Sequence, residues 1–453
     1  MRFTVLIGSQ ADDIQHQSIK PKHYPCPQCG IKGKRKHVIT RRIAHVAALN
    51  RRSWIVAEVG VYKARCPCCK YFQAPITGVP YRGRYSWEVR NTVANALIRD
   101  RMPYLSVIRR MQEDYRLTLS LGYIHACFLW AHEQINLETH WDFVRTNFSG
   151  VLCLDEVHDS GRTILFATDP LGDFTVSFNV VDKNDQAHMD MFLQALKDRG
   201  LHVEVVITDG SPLYKDSLQS YWADVEHQLC IFHVIKEVNK LILDGVRAVK
   251  NRLKRQGNKG RKKRRGRPSK KARSKGMSKK EQAAFIWDHQ YLIVRTQEDL
   301  SEQDKQDLAL MLTMAPDLKL FRQFNQQFYR LFERDISKAC ARLRRMRLVN
   351  HAPYQANTFL AKALKKLSKD KFNHMIVFLG WEDGERTNNH VERNNRSFRM
   401  MQKTRYKRRK THTMEKALEL ELYARMLAHP LYAPNVRPLL TVSQETAILK
   451  MAA

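Results

Sequence analysis

Residues 151–181 read VLCLDEVHDSGRTILFATDPLGDFTVSFNVV, three apolar runs parted by short polar and glycine-containing turns. The runs Val151–Asp155, Thr163–Ala167 and Phe174–Val181 predict three consecutive strands, because each is short, β-branched or aromatic in character, and bounded by turn residues. Outward from them, Asp185–Arg199 carries Met189, Phe192, Leu193 and Leu196 on one helical face, Val203–Asp209 predicts a fourth strand, and Asp224–Ile231 a fifth. Asp155 closes the first apolar run. Asp209 closes the fourth, after which Gly210, Ser211 and Pro212 turn the chain out of the sheet. In an open α/β sheet ligands collect beyond the carboxyl ends of adjacent strands, so Asp155 and Asp209 are expected on neighbouring strand ends.

Three strands, a helix and then strand, helix, strand is the order of a ribonuclease H-like α/β domain. A third acid stands far downstream, in Thr387-Asn-Asn-His-Val-Glu-Arg-Asn-Asn-Arg396. Arg396, Arg399 and Lys403 follow Glu392 at helical offsets, which places one acid and three DNA-binding candidates on one face. Carboxylates suit Mg²⁺ or Mn²⁺, hard cations that prefer oxygen and keep waters for a substrate to displace. A lone aspartate usually just caps a strand, and a lone glutamate usually makes a surface ion pair. Asp155, Asp209 and Glu392 in this order point instead to metal-assisted phosphoryl transfer. Asp155 is followed directly by Glu156, and the period of two along a strand turns those side chains to opposite faces.

The flanks carry other chemistry. Cys26-Pro-Gln-Cys29 and Cys66-Pro-Cys-Cys69 bracket the alternating stretch Ser53–Tyr62. Paired knuckles around strands match a zinc ribbon with Cys26, Cys29, Cys66 and Cys69 on Zn²⁺, the metal standing in for a core so short a unit cannot build. Cys68 is an alternative to Cys69. Within residues 81–145, from about Ser86 to Asn136, the apolar residues shift to helical spacing and imply three short helices, the third capped by Ser120, as in a helix-turn-helix; an ordinary helical connector is the alternative reading. From 246 to 282 the chain is dense in Lys and Arg, and Arg265-Gly-Arg-Pro268 resembles an AT-hook in which Arg265 and Arg267 lie along an A·T minor groove, the alternative being a polybasic tether. Cys230 and His233 suggest packing and hydrogen bonding, or a metal half-site. The expected organisation is multidomain: an N-terminal zinc ribbon (1–80), a three-helix DNA-binding unit (81–145), a ribonuclease H-like core (146–245) interrupted by the basic segment (246–282) and an α-helical insertion (283–380), the final helices of the core (381–430), and a tail (431–453).

Composition limits the partners. The 453 residues hold 78 Lys and Arg against 45 Asp and Glu, a net charge of +33 that a compact particle carries most easily beside a polyanion. Double-stranded DNA is the expected partner. A membrane is not expected, since no long apolar stretch or lipidation motif is present and the first residues lack the form of a signal peptide. The odd count of nine cysteines, clustered, fits thiolate ligands in a reducing compartment better than a disulfide framework. A cytoplasmic, nucleoid-associated protein is expected.

Together, Leu154-Asp-Glu156, Thr208-Asp-Gly210, His227-Gln-Leu-Cys-Ile-Phe-His233 and Asn388-Asn-His-Val-Glu-Arg-Asn-Asn395 resemble the DDE transposases of bacterial insertion sequences. The likeness is to those with an amino-terminal zinc ribbon and a helical insertion, akin to the Mutator-like group. It implies Asp155, Asp209 and Glu392 as the Mg²⁺-binding catalytic triad, transposon ends and target DNA as substrates, and a homodimer or higher oligomer on DNA. Glu392 follows Asp209 by 183 positions, more than a compact ribonuclease H spacing, and the helical block from about 246 to 380 is where the family places its insertion. A structure-specific nuclease of the same fold, and a non-catalytic regulator descended from a transposase, are the rival readings.

Overall fold

The computed structural model describes residues 12–63, 68–159, 161–211, 214, 218–259, 277–381, 384–404 and 408–432. The AT-hook-like Arg265 and Arg267, the ligand candidate Cys66 and all but the first two residues of the tail lie outside them.

The amino-terminal unit is a sheet of β1 (Asp13–Ile19), β2 (His23–Pro25), β3 (Lys32–His45), β4 (Ser53–Lys63) and β5 (Tyr71–Gln73), ordered β1-β4-β3-β2 with β5 also on β4. β3 and β4 form a long antiparallel hairpin. Alternation along β4 sends Ile55, Ala57 and Val59 inward, where they meet Ile43, Phe72 and Ile76. This unit therefore has an apolar core of its own, contrary to the expectation that metal alone would replace one.

Four helices follow: α1 (Trp87–Ile98), α2 (Tyr104–Tyr115), α3 (Leu121–Glu133) and α4 (Leu137–Asn147). Ser120 caps α3 by accepting from the backbone N–H of Tyr123. The first three match the spacing in the sequence. The fourth crosses the boundary expected at 145, because His140, Phe143 and Val144 at helical spacing bury against the next sheet.

That sheet is ordered β10-β9-β6-β7-β8, from β6 (Val151–Asp159), β7 (Arg162–Asp169), β8 (Phe174–Val181), β9 (Val205–Thr208) and β10 (Glu226–Leu229). β6, β7 and β8 run antiparallel in turn, while β9 is parallel to β6 and β10 to β9. β6 continues four residues beyond Asp155 because it pairs with β7 as far as Asp159. Between β8 and β9 lies α5 (Gln186–Asp198), and between β9 and β10 the short α6 (Leu218–Tyr221). Both faces of the sheet are covered. Leu152, Leu154 and Val206 pack on Phe192 and Leu193 of α5, whereas Val151, Cys153, Val205 and Ile207 face the opposite way.

α7 (Ile231–Lys259) leaves the sheet as one helix. It runs well past 245, where a basic segment without structure of its own was expected. Val238, Ile242, Val246, Val249 and Leu253 recur every three or four residues and are buried, so few apolar positions suffice for a helical face amid the charge. α8 (Lys279–Asp288), α10 (Asp317–Tyr329) and α13 (Thr358–Lys365) pack on it, and α9 (Glu302–Met314), α11 (Lys338–Val349), α12 (Ala352–Ala356) and α14 (Lys369–Met375) complete the same core. The stripe Phe321, Phe324, Phe328, Leu331 and Phe332 is the centre of this helical core. The chain then returns to the sheet as α15 (Asn389–Thr404) and α16 (Thr411–Leu427). α15 lays Val391, Phe398 and Met401 on the Val151 face. α16 ties three cores together: Leu418 reaches that face, Met426 the α5 side, and Ala417 and Leu420 the helices α1 to α3.

Candidate active site and metal-ligand clusters

The parallel register pairs Val151 with Val205 and Cys153 with Ile207; the same offset sets Asp155 level with Asp209, the residue after β9. Asp155 shares the parity of Val151 and Cys153, whose side chains meet α15. Glu392 lies in the first turn of that helix. The three sequence-predicted acids thus converge from β6, from the end of β9 and from α15. Gly210, at φ 88°, makes the sharp exit after Asp209 in a conformation that a side chain would strain. The Asp209 carboxylate accepts from the backbone N–H of Ser211 at 2.9 Å.

The electrostatics record this convergence. Burial first, then repulsion from Glu156, Asp209 and Glu392, pushes the Asp155 carboxyl up to about 7 in spite of a backbone hydrogen bond at Glu156 that pulls it down. Among the described residues the oxygens of the triad do not all fall within 4.8 Å of one another, a spread wider than the shell of one ion. Glu156 is turned to the other face, where Tyr214 Oη donates to it at 2.5 Å and Asn184 Nδ2 at 3.3 Å. Tyr214 is wholly buried, so this contact fixes Glu156 away from α15.

Several residues without an assigned role in the sequence hold the acids in place. Asn395 Nδ2 donates to Asp155 Oδ2 at 2.6 Å. Asn388, fully buried, donates from Nδ2 to the Leu154 carbonyl at 2.9 Å and from its backbone N–H to Cys230 Sγ at 3.1 Å. One asparagine therefore ties the approach to Asp155, the start of α7 and the start of Glu392's helix. His233 Nε2 stands 3.5 Å from Glu392 Oε1. The neighbouring Cys230 side chain, outweighing burial and aided by Glu392 and Asp209, raises the His233 imidazole above its ordinary value. Cys230 thus contacts the residue before Glu392's helix, and His233 stands beside the third acid itself. The dense asparagine content of 388–395 was the available signal, though spacing alone gave no partner. Arg396, Arg399 and Lys403 are exposed along the outer side of α15.

In the amino-terminal sheet the Sγ atoms of Cys26, Cys68 and Cys69 gather at separations of 3.5, 3.5 and 3.9 Å. Sulfurs bound tetrahedrally at ~2.3 Å from Zn²⁺ would lie about 3.8 Å apart, so these thiols fit that ion. Cys26 closes the tight turn of its knuckle, accepting from Gly30 N–H at 2.9 Å, with Gly30 at φ 74°. Burial raises the Cys26 thiol, but the backbone N–H groups of Cys29 and Gln28 and the neighbouring thiols outweigh it and hold Cys26 below its ordinary value. Cys68 therefore joins Cys69 at Cys26, where the spacing favoured Cys69 alone; Cys29 is exposed and outside this trio.

Among the described residues no helix is long and apolar enough to cross a membrane. Compared with known proteins, residues 152–416, more than half of the chain, match a family model described as a transposase. No match is found among curated proteins.

Proposed function

The chain belongs to the ISL3 family of transposases, and from that premise we propose that it is a DDE-type enzyme that binds the ends of its mobile element, cleaves a strand there and joins the freed 3′-hydroxyl to target DNA. The observation that carries this reading is the convergence of Asp155, Asp209 and Glu392 from three chain segments onto one edge of the sheet. The strand order and directions support a ribonuclease H-like catalytic core, with the helices from α8 to α14 as its insertion. The closer kinship with Mutator-like elements rests on the sequence motifs alone.

The donor set fits Mg²⁺ or Mn²⁺. It is all oxygen, and the mutual repulsion that lifts Asp155 is what a bound cation relieves. When bound, such ions supply the charge that activates an attacking oxygen and steadies the leaving one. The protein's own part is positional. Asn395 orients the Asp155 carboxylate, Ser211 N–H orients Asp209, and His233 stands against Glu392. Arg396, Arg399 and Lys403 offer an exposed cationic track for phosphodiesters leaving the site. The cysteine cluster would hold a structural Zn²⁺, and Arg265 and Arg267 would follow an A·T minor groove.

The test uses purified full-length protein and labelled DNA bearing the element's ends. Asp155→Asn, Asp209→Asn and Glu392→Gln should each reduce Mg²⁺-dependent cleavage to background while end binding persists. Mg²⁺ should raise the melting temperature of the parent protein and not that of Asp155→Asn. Substantial nicking by any variant removes that residue from the triad, and cleavage without joined products makes the protein a nuclease.

A further inference from the structure

The helix expected to read DNA is poorly suited to it. α3 contains no Arg, Lys, Asn or Gln, the side chains that most often read base edges in the major groove. Ile124, Cys127, Phe128, Trp130 and Ala131 are buried, and the helix packs on α1, α2 and α16. Beside it, however, lies an open groove of about 660 Å³ between the β3–β4 hairpin and the α2–α3 turn. Arg41, Arg42, Arg52, Arg84 and Arg116 line it.

Resting on the transposase reading, we propose that this groove is a binding site for the sugar-phosphate backbone of duplex DNA and supplies the sequence-independent grip of the amino-terminal half. The walls are fixed relative to each other. Asn50 N–H at the hairpin tip donates to the Asp114 carbonyl at 2.5 Å, Ala44 N–H to the Arg84 carbonyl at 3.1 Å, and Ser86 N–H to the Ala44 carbonyl at 3.0 Å. Arg42 pairs with Asp12, but among the described residues Arg52, Arg84 and Arg116 have no carboxylate partner. Arg116 also occupies the left-handed C-cap of α2 at φ 52°, where glycine or asparagine costs less. A guanidinium kept at a strained position, facing others across a groove, is accounted for by an anionic occupant.

Two of the three aromatic rings lining the groove are already covered, which favours duplex over single strand. The Arg42 guanidinium covers Trp54 at 4.0 Å from the ring centroid, and Tyr85 lies against Tyr123 at 4.2 Å, so neither offers an open platform for an unpaired base.

The experiment measures binding of the full-length protein to a labelled duplex of arbitrary sequence, and to one strand of it alone, between about 50 and 200 mM salt. Replacing Arg52, Arg84 and Arg116 together by Ala should flatten the plot of log K against log salt on the duplex by about 0.9 for each phosphate no longer neutralised. Lys at the same three positions should retain the slope. If the triple Ala protein melts below the parent, the single exposed change Arg116→Gln carries the test, with an expected flattening of about 0.9. An unchanged slope in a folded variant overturns the groove, as does a larger loss on the single strand than on the duplex. Parent protein that binds neither probe overturns the transposase reading as well; normal binding by the parent with an unchanged slope in the variants overturns the groove alone.

Discussion

The protein holds two clusters of ligand-type side chains, and they are built in opposite ways. The cysteine cluster joins Cys26 to Cys68 and Cys69 over 42 and 43 residues, with a tight turn after Cys26 at the end of one sheet. The acid cluster joins Asp155 to a helix whose Asn395 is 240 residues away, with the whole helical insertion between. In the first, local turn chemistry aims the ligands. In the second, the ligands repel one another and a set of buried amides holds them together against that repulsion. A local knuckle is favoured by a short stretch of chain, whereas a site of like charges exists only where the rest of the fold over-determines it.

The sharpest way to break this contrast is to remove a ligand from the local cluster. Cys26→Ser should release about one Zn²⁺ per chain and expose the knuckle end of the sheet, because metal binding there is folding free energy. Hydrogen exchange should accelerate at His23, Tyr24 and Tyr71–Gln73 but not at Ile43 and Trp54, which belong to the end that docks on the helices. Metal analysis that finds no zinc in the parent protein would remove the cluster's assignment.

A smaller effect is expected from the amide that joins the distant segments. Asn388→Ala leaves the buried Leu154 carbonyl without its donor and should cost about 1–3 kcal/mol in denaturant unfolding. Cleavage should fall further than stability explains, since Glu392's helix loses its tie to the strand of Asp155. Loss of stability with normal cleavage per folded molecule would reduce Asn388 to a packing role.

A third test reads the pH dependence. The Asp155 carboxyl sits at about 7 in the folded chain against an ordinary 3.8. Between those values the folded state keeps a proton that the unfolded chain has released, so without divalent metal this group's contribution is full below about 4 and is lost as pH rises to about 7. Thermal melts in EDTA should show that decline in the parent protein and a flatter profile in Asp155→Asn. Parallel profiles would mean that Asp155 is not under strain from its neighbours.

Much of the fold was legible because its signals are local. Apolar runs gave β6 to β8, helical spacing gave α5 and the Phe321–Phe332 stripe, and Ser120 marked the start of α3. The misreadings arose where a few residues tipped the balance. Val246, Val249 and Leu253, sparse within a basic stretch, carry α7 past 245 because each falls on the face that the insertion covers. α4 was missed because His140 counts as polar until its Nε2 finds the Val176 carbonyl at 2.9 Å.

The sequence by itself singled out the three acids and the cysteine-rich knuckles as candidates, and the charge that calls for a polyanion, since residue type and short-range spacing suffice for those. The tertiary structure decided that Asp155 rather than Glu156 faces α15, that Asn388 and Asn395 bind the strand of the first acid, and that Cys68 stands beside Cys69. It also turned α3 inward and left five arginines around a groove. Each of these depends on which face of an element is covered by another, and that is settled only when segments far apart in the chain pack together.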